Sequence, residues 1–308
     1  MKINLSDSPM WSATPTPFTS TMTIDVEAVK RLIDHHLQLG VTGLFLCGTC
    51  GEGPWMTDRQ KQQLIGTCAK YAKGRLILAV QATDNSAARI RDNIALIRNE
   101  GGDIGVIAPP LMVLPQTPKH ILALYLDAIR QSPLPVGIYD RGKHAPVFVP
   151  DALLKSLYAE PKVILVKDSS GDSKRMNLAL QVKKKRKDLY LLNGNEFDCI
   201  SYLQAGYDGL LLGGGIFNGF IAGQIIAAVG NGDISQADKL QNRMNRLMFE
   251  VYGGKKISCW LTGLKHLLVQ MGIFRTTRNY LGYPLTASCI RAIDRVLKKD
   301  REVLFPGV

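Results

Sequence analysis

Short apolar runs and longer amphipathic stretches alternate along the first three quarters of the chain. Most runs are rich in Leu, Ile and Val and end in or near Gly, Pro, Ser, Thr or Asp. The runs at 11–14, 43–46, 76–80, 105–107, 136–139, 163–166, 189–192 and 209–212 predict eight strands. The stretches at 26–39, 58–73, 86–100, 118–131, 150–158, 173–186, 196–205 and 218–229 predict the helices between them. Val29, Leu32, Ile33, His36 and Leu37 fall at helical spacing, as do Leu122, Leu126 and Ile129. Thr57-Asp58 and Thr117-Pro118 are helix-start signals. Strands apolar throughout belong to a parallel sheet covered on both faces. Eight strand–helix units within 1–230 average about 29 residues each, the arithmetic of a parallel (β/α)8 TIM barrel of the α/β class. An open doubly wound sheet is the alternative, and the strand count favours the barrel. After residue 230 the alternation stops. Helical patterns at 235–252, 258–271 and 286–299 predict a C-terminal helical bundle over 231–308 that caps the barrel or makes subunit contacts.

Composition narrows the function classes. With 46% hydrophobic and 21% charged residues in 308, the chain is an ordinary globular protein that needs neither disulfides nor metal to be stable. Its six cysteines are scattered. Residues 1–18 carry Asp7 and prolines but no apolar core, which is not the pattern of a signal peptide. The longest apolar-plus-glycine stretch, Gly209 to Phe217, spans nine residues, against about 20 for a membrane helix. The expectation is a soluble cytoplasmic protein with no membrane partner. A net charge of +12 favours anions, either small substrates or nucleic acid. The densest basic run, Lys183 to Lys187, closes a predicted helix, where cations suit the helix dipole. No aromatic or groove-reading element accompanies it, so nucleic acid is not expected as a partner.

A barrel places its chemistry where the strands end. The sixth predicted strand runs from four apolar residues into Lys167, followed by Asp168-Ser169-Ser170-Gly171-Asp172. An amine held among apolar groups is poorly solvated as an ammonium, and the neutral amine attacks ketones to form a Schiff base. Pairing with Asp168 or snorkelling outward is the plain structural alternative. The fifth strand closes with Tyr139, which can relay a proton or simply pack. After the second strand comes Cys47-Gly48-Thr49-Cys50-Gly51-Glu52-Gly53. Its glycines let backbone approach a ligand, and successive N–H groups beside a Thr hydroxyl suit a carboxylate. Cys47 and Cys50 form C-x-x-C, but no second pair sits at metal spacing, so no metal site is expected. The eighth strand opens into Gly213-Gly214-Gly215, glycines that hold phosphate or leave room for substrate. His35 and His36 fall on a helix and read as structural, whereas His144 follows Tyr139 and is placed to line the site.

Taken together, Gly48-Thr49-Cys50-Gly51-Glu52, Tyr139 and Val166-Lys167-Asp168-Ser169-Ser170-Gly171-Asp172 resemble the dihydrodipicolinate synthase / N-acetylneuraminate lyase family of class I, Schiff-base-forming aldolases. Thr16-Pro17-Phe18 and Asn193-Gly194-Asn195-Glu196 extend the resemblance. It implies a homo-oligomer, tetramer or dimer, and no cofactor. It implies that Lys167 forms an imine with pyruvate or a longer 2-oxo acid while Tyr139 relays the proton. In the same reading Gly48, Thr49 and Cys50 hold the carboxylate, and His144, Gly194, Glu196, Gly214 and Gly215 complete the substrate site. Synthase members usually carry Thr or Ser at the position of Cys50, Arg at that of His144 and Tyr at that of Leu111. These changes disfavour dihydrodipicolinate synthase activity proper. Glu196, where sialic acid lyases place an acid against sugar hydroxyls, points to a sugar-derived 2-keto acid. Asp140-Arg141 resembles some sugar-acid dehydratases of the family, which makes dehydration the alternative to carbon–carbon cleavage.

Overall fold

A computed structural model of the chain describes residues 5–112 and 117–307. The first four residues of the N-terminal stretch and Val308 of the C-terminal segment lie outside the described residues. Eight strands close into one parallel barrel in chain order: β1 (Met10–Ala13), β2 (Gly43–Leu46), β3 (Ile77–Gln81), β4 (Ile104–Ile107), β5 (Val136–Asp140), β6 (Val163–Asp168), β7 (Tyr190–Asn193) and β8 (Gly209–Leu212). Closure is completed by β1 pairing with β8, Trp11 opposite Leu211. Nearly every strand residue is buried, as expected for strands with side chains inside the barrel and helices outside. The fifth and sixth strands run further than the hydrophobic pattern indicates. Asp140 pairs with Asp168 across the ladder, and Tyr139 with Lys167. Lys167 therefore stands within the sheet rather than beyond its edge.

Eight helices form the outer ring: α1 (Val26–Gln38), α2 (Asp58–Ala72), α3 (Ala87–Asn99), α4 (Pro118–Arg130), α5 (Asp151–Tyr158), α6 (Ser173–Lys185), α7 (Ile200–Ala205) and α8 (Gly215–Gly230). The starts read from sequence are real caps. Thr57 and Gln60 form a reciprocal capping box on α2, and Thr117 caps α4 with Pro118 in its first turn. Two starts differ from the sequence reading. The chain before α7 stays a loop because the Asn193 amide donates to the carbonyls of Asn195 and Asp198, while its Oδ1 accepts the Asn195 N–H. Helix α8 begins three residues early, inside the glycine run. A Cβ on Gly215 would lie 2.8 Å from the Ser12 Cα, so β1 and α8 meet too closely there for any side chain.

Four further helices follow: α9 (Ile234–Val251), α10 (Trp260–Gln270), α11 (Ala287–Lys299) and the single turn α12 (Arg301–Leu304). Helix α9 packs on α8, and α11 on α9. Met248, Leu264 and Ile293 join the same continuous apolar core as the barrel. Among the described residues, no helix is long and apolar enough to cross a membrane. The basic run is partly structural. Lys183 binds Asp208 and the Leu189 carbonyl, and Arg186 donates to the carbonyls of Tyr158 and Glu160.

His35 and His36 lie buried between α1 and the barrel. His35 Nε2 is 3.0 Å from the Ile216 carbonyl, and His36 bridges the Leu32 carbonyl and the Ser12 hydroxyl. Burial drives the pKa of His35 down to about 4 and that of His36 down to about 3. Between those values and 6.5 the unfolded chain binds protons that the folded chain refuses. Stability is thus fully held above pH 6.5 and lost as pH falls below it. For two histidines the slope approaches about 2.7 kcal/mol per pH unit. Urea unfolding from pH 7 to 4.5 should show this fall, and His36→Gln should flatten it. A midpoint constant over that interval would contradict the assignment.

Candidate active site

Lys167 is the one basic side chain of the barrel interior that the sequence singled out, and it is only 6% exposed. Its Nζ lies 4.3 Å from the centroid of the Tyr139 ring and 4.6 Å from that of Phe45. The two rings meet edge to face at 5.7 Å. Pairing of Tyr139 with Lys167 in the β5–β6 ladder points both side chains to one face of the sheet. Asp168 is not the partner of the lysine. Its Oδ2 accepts the Tyr207 hydroxyl at 2.8 Å and its Oδ1 the Ser170 N–H at 2.8 Å. The amine therefore faces two aromatic rings rather than Asp168, and the Tyr139 hydroxyl is not engaged by any described residue.

Behind the amine, Gly194 follows β7. A Cβ there would lie 3.1 Å from Lys167 Cε and 2.0 Å from Ser169 Oγ, so only glycine leaves the lysine its position. Gly194→Ala should push the amine aside by a few tenths of an ångström and lower kcat/KM several-fold, short of the roughly 10²-fold cost of a misplacement near 1 Å. Steady-state kinetics beside a circular-dichroism check of the fold would measure it. Unchanged kinetics would show that the contact does not matter.

The loop after β2 folds back on itself. Gly53 N–H donates to the Gly48 carbonyl and Glu52 N–H to the Thr49 carbonyl, while the backbone N–H groups of Gly48, Thr49 and Cys50 find no acceptor among the described residues. Thr49 is half-buried and its hydroxyl is likewise free of described partners. Three successive N–H groups without an acceptor, beside a hydroxyl, are donors of the kind that can hold an anion. Cys50 is buried, with its Sγ 3.9 Å from the Gly213 carbonyl. Burial, then the nearby Glu196 charge, push its thiol up to about 12, and burial pushes Cys47 to about 12 as well. Both stay protonated thiols at neutral pH, the less nucleophilic form.

Two buried ion pairs, neither read from sequence, hold this end of the barrel. Lys265 of α10 and Glu52 are both fully buried and joined Nζ to Oε1. Nζ also donates to the Arg278 carbonyl, and Glu52 Oε2 accepts the Tyr280 N–H. Burial raises the pKa of Glu52 and lowers that of Lys265, and their mutual attraction opposes both shifts. Glu52 sits in the left-handed region at φ 59, so the pair fixes a strained residue at the base of the loop. Beside Tyr139, Asp140 binds Arg175 of α6 and the Gly142 N–H. Asp140 is thereby committed to structure. Lys265 does carry a sequence signal, a lysine beside Leu264, Leu267 and Leu268 on an apolar helix.

The remaining residues read from sequence divide. Glu196 turns into the β8–α8 junction, where it accepts the Gly214 N–H at 2.6 Å and the Tyr252 hydroxyl at 3.2 Å. Burial raises its pKa, while the Gly214 and Tyr252 hydrogen bonds and the Lys167 charge act against that rise. Gly214 packs against the Phe217 ring and Tyr252 hydroxyl, and Gly215 against Ser12. His144 ends an exposed 3₁₀ turn, Gly142–His144, with no side-chain hydrogen bond to a described residue. Leu111 is 44% exposed beyond β4.

The chain is similar to known proteins over most of its length. A model of the dihydrodipicolinate synthetase family matches residues 8–294. A 4-hydroxy-tetrahydrodipicolinate synthase of Jannaschia sp. (strain CCS1) is 26% identical over 258 residues, covering 84% of this chain and 86% of the relative. An N-acetylneuraminate lyase of Escherichia coli O1:K1 / APEC is 26% identical over 270 residues, covering 87% and 84%. The structure of dihydrodipicolinate synthase from Bacteroides thetaiotaomicron superposes with a TM-score of 0.86 at 26% identity, covering 96% of this chain and 99% of that one.

Proposed function

The chain belongs to the dihydrodipicolinate synthetase family, and from that membership we propose that it is a class I lyase working through an imine on Lys167. Its substrate is pyruvate or a longer 2-oxo acid. The amine attacks the keto carbon, and loss of water leaves a protonated imine. That nitrogen draws the electron pair of the breaking carbon–carbon bond, so the imine is itself the electron sink and no further cofactor is needed. Tyr139 takes the proton from the hydroxyl that becomes the aldehyde carbonyl. Protonation of the enamine left on Lys167 and hydrolysis of the resulting imine release pyruvate and the free amine. The free N–H groups of Gly48, Thr49 and Cys50 hold the substrate carboxylate. The carrying observation is Lys167 Nζ set against the Tyr139 and Phe45 rings, unpaired with Asp168.

The aldolase reading is tested on a panel of 2-keto-3-deoxy sugar acids. Pyruvate release supports carbon–carbon cleavage, and products retaining every carbon would replace it with dehydration. Asp140, held by Arg175 and the Gly142 N–H, does not favour the dehydratase. The changes at Cys50, His144 and Leu111 stand against synthase activity proper. Tyr139→Phe should slow turnover by about 10²–10⁴-fold while leaving imine formation detectable. A full rate in that variant would remove the phenol from the mechanism. Assembly into a dimer or tetramer and a cytoplasmic location complete the proposal.

A further inference from the structure

A second cavity opens at the same end of the barrel, beside the loop 48–53. It encloses about 460 Å³ and is lined in part by Cys47, Lys61, Gln81, Thr83 and Leu111. Gln81 closes β3. It pairs with Val106 of β4, which pairs in turn with Gly137 of β5. Paired residues of adjacent strands share a face, and the face recurs every second residue. Tyr139 lies two residues past Gly137, so Gln81 faces inward with Tyr139 and Lys167. Its Oε1 is sealed from the surface and accepts from no described residue. A buried acceptor without a donor is costly to keep and calls for an explanation.

The neighbouring groups narrow the ligand. Arg89 binds Asp84 at 2.8 Å and Lys61 lies 3.5 Å from Asp58, so the charges around the cavity compensate one another. Several neighbouring acceptors already have donors. Thr83 Oγ1 accepts the Ala108 N–H, Asn85 Oδ1 the Met112 N–H, and Asp84 the Asn85 N–H. Among the buried side-chain atoms of the lining, the Gln81 oxygen is the one without a partner. That vacancy in the hydrogen-bonding pattern suits a neutral hydroxyl, not a second carboxylate or a cation.

We propose that Gln81 is a specificity-determining residue that receives a hydroxyl of the substrate portion remote from Lys167. The enzyme then favours a polyhydroxylated aldehyde partner over an aliphatic one of equal length. The proposal rests on the imine reading above.

The test is condensation of pyruvate with erythrose and with butyraldehyde, scored as the ratio of their kcat/KM values. The unsubstituted enzyme should prefer erythrose at least about tenfold, because a site built to bond a hydroxyl rejects the analogue lacking it. Equal rates overturn the proposal whatever any variant does. Gln81→Met, close in volume but unable to accept, should reduce the ratio by about 10- to 100-fold. Gln81→Glu, which keeps the acceptor, should hold it within about threefold. An unchanged ratio in Gln81→Met, with its thermal midpoint preserved, overturns the assignment and leaves the position to water. Failure of borohydride to trap pyruvate on the unsubstituted enzyme overturns the imine reading and this proposal with it. Trapping with an unchanged ratio strikes Gln81 alone.

Discussion

Lys167→Ala is expected to abolish turnover, with kcat falling by about 10⁴-fold or more, the scale on which loss of a covalent nucleophile is felt. The fold should survive. Lys167 makes no ion pair with Asp168, whose bonds to Tyr207 and Ser170 remain in the variant. What disappears is the nitrogen between Phe45 and Tyr139. No other described amine is held against those rings, so the variant has no group to take its place. Kinetics by pyruvate release, with the thermal midpoint as a control, would measure the effect. A variant that keeps more than about a tenth of the wild-type rate would remove covalent catalysis from the account.

Lys265→Met is expected to be the most damaging change away from the chemistry. It strands the Glu52 carboxylate, fully buried, and leaves the Arg278 carbonyl without its donor. Removing one partner of a buried pair costs about 3–5 kcal/mol, which for a chain of this size lowers the thermal midpoint by roughly 10 °C. The loop bearing Gly48, Thr49 and Cys50 loses its anchor at the same time, so KM for the 2-oxo acid should rise more than kcat falls. Replacing both partners, Lys265→Met with Glu52→Gln, should recover part of the stability because no lone charge stays buried. Thermal scans of the three variants decide this. A single variant within about 1 °C of wild type would mean that the pair contributes little.

Much of this architecture follows from local pattern. The eight apolar runs needed only their spacing to read as strands of a closed parallel sheet, and the Thr57 and Thr117 caps announced their helices. Lys167 was legible because it follows four apolar residues, and the free N–H groups after β2 were legible in the glycine pattern around Thr49. Other features lie outside the reach of local reading. Glu52 and Lys265 meet across more than two hundred residues of chain, and Asp140 meets Arg175 only because the end of β5 lies beside the start of α6. Phe45 gave no sign of its role, since one aromatic in an apolar strand looks like any core residue. The start of α8 is hidden in the sequence because Gly215, following two further glycines, carries poor helix propensity. Contact with Ser12 requires that smallness, and local sequence cannot show it. Helix α7 starts later than its pattern suggests because the Asn193 side chain holds the carbonyls that a helix would otherwise use.

Borohydride reduction of the enzyme in the presence of pyruvate, followed by peptide mapping, examines the core of the account most directly. A reduced pyruvyl adduct on the peptide carrying Lys167, absent from Lys167→Ala, is the expected result. An adduct on another lysine, or none at saturating pyruvate, would contradict it.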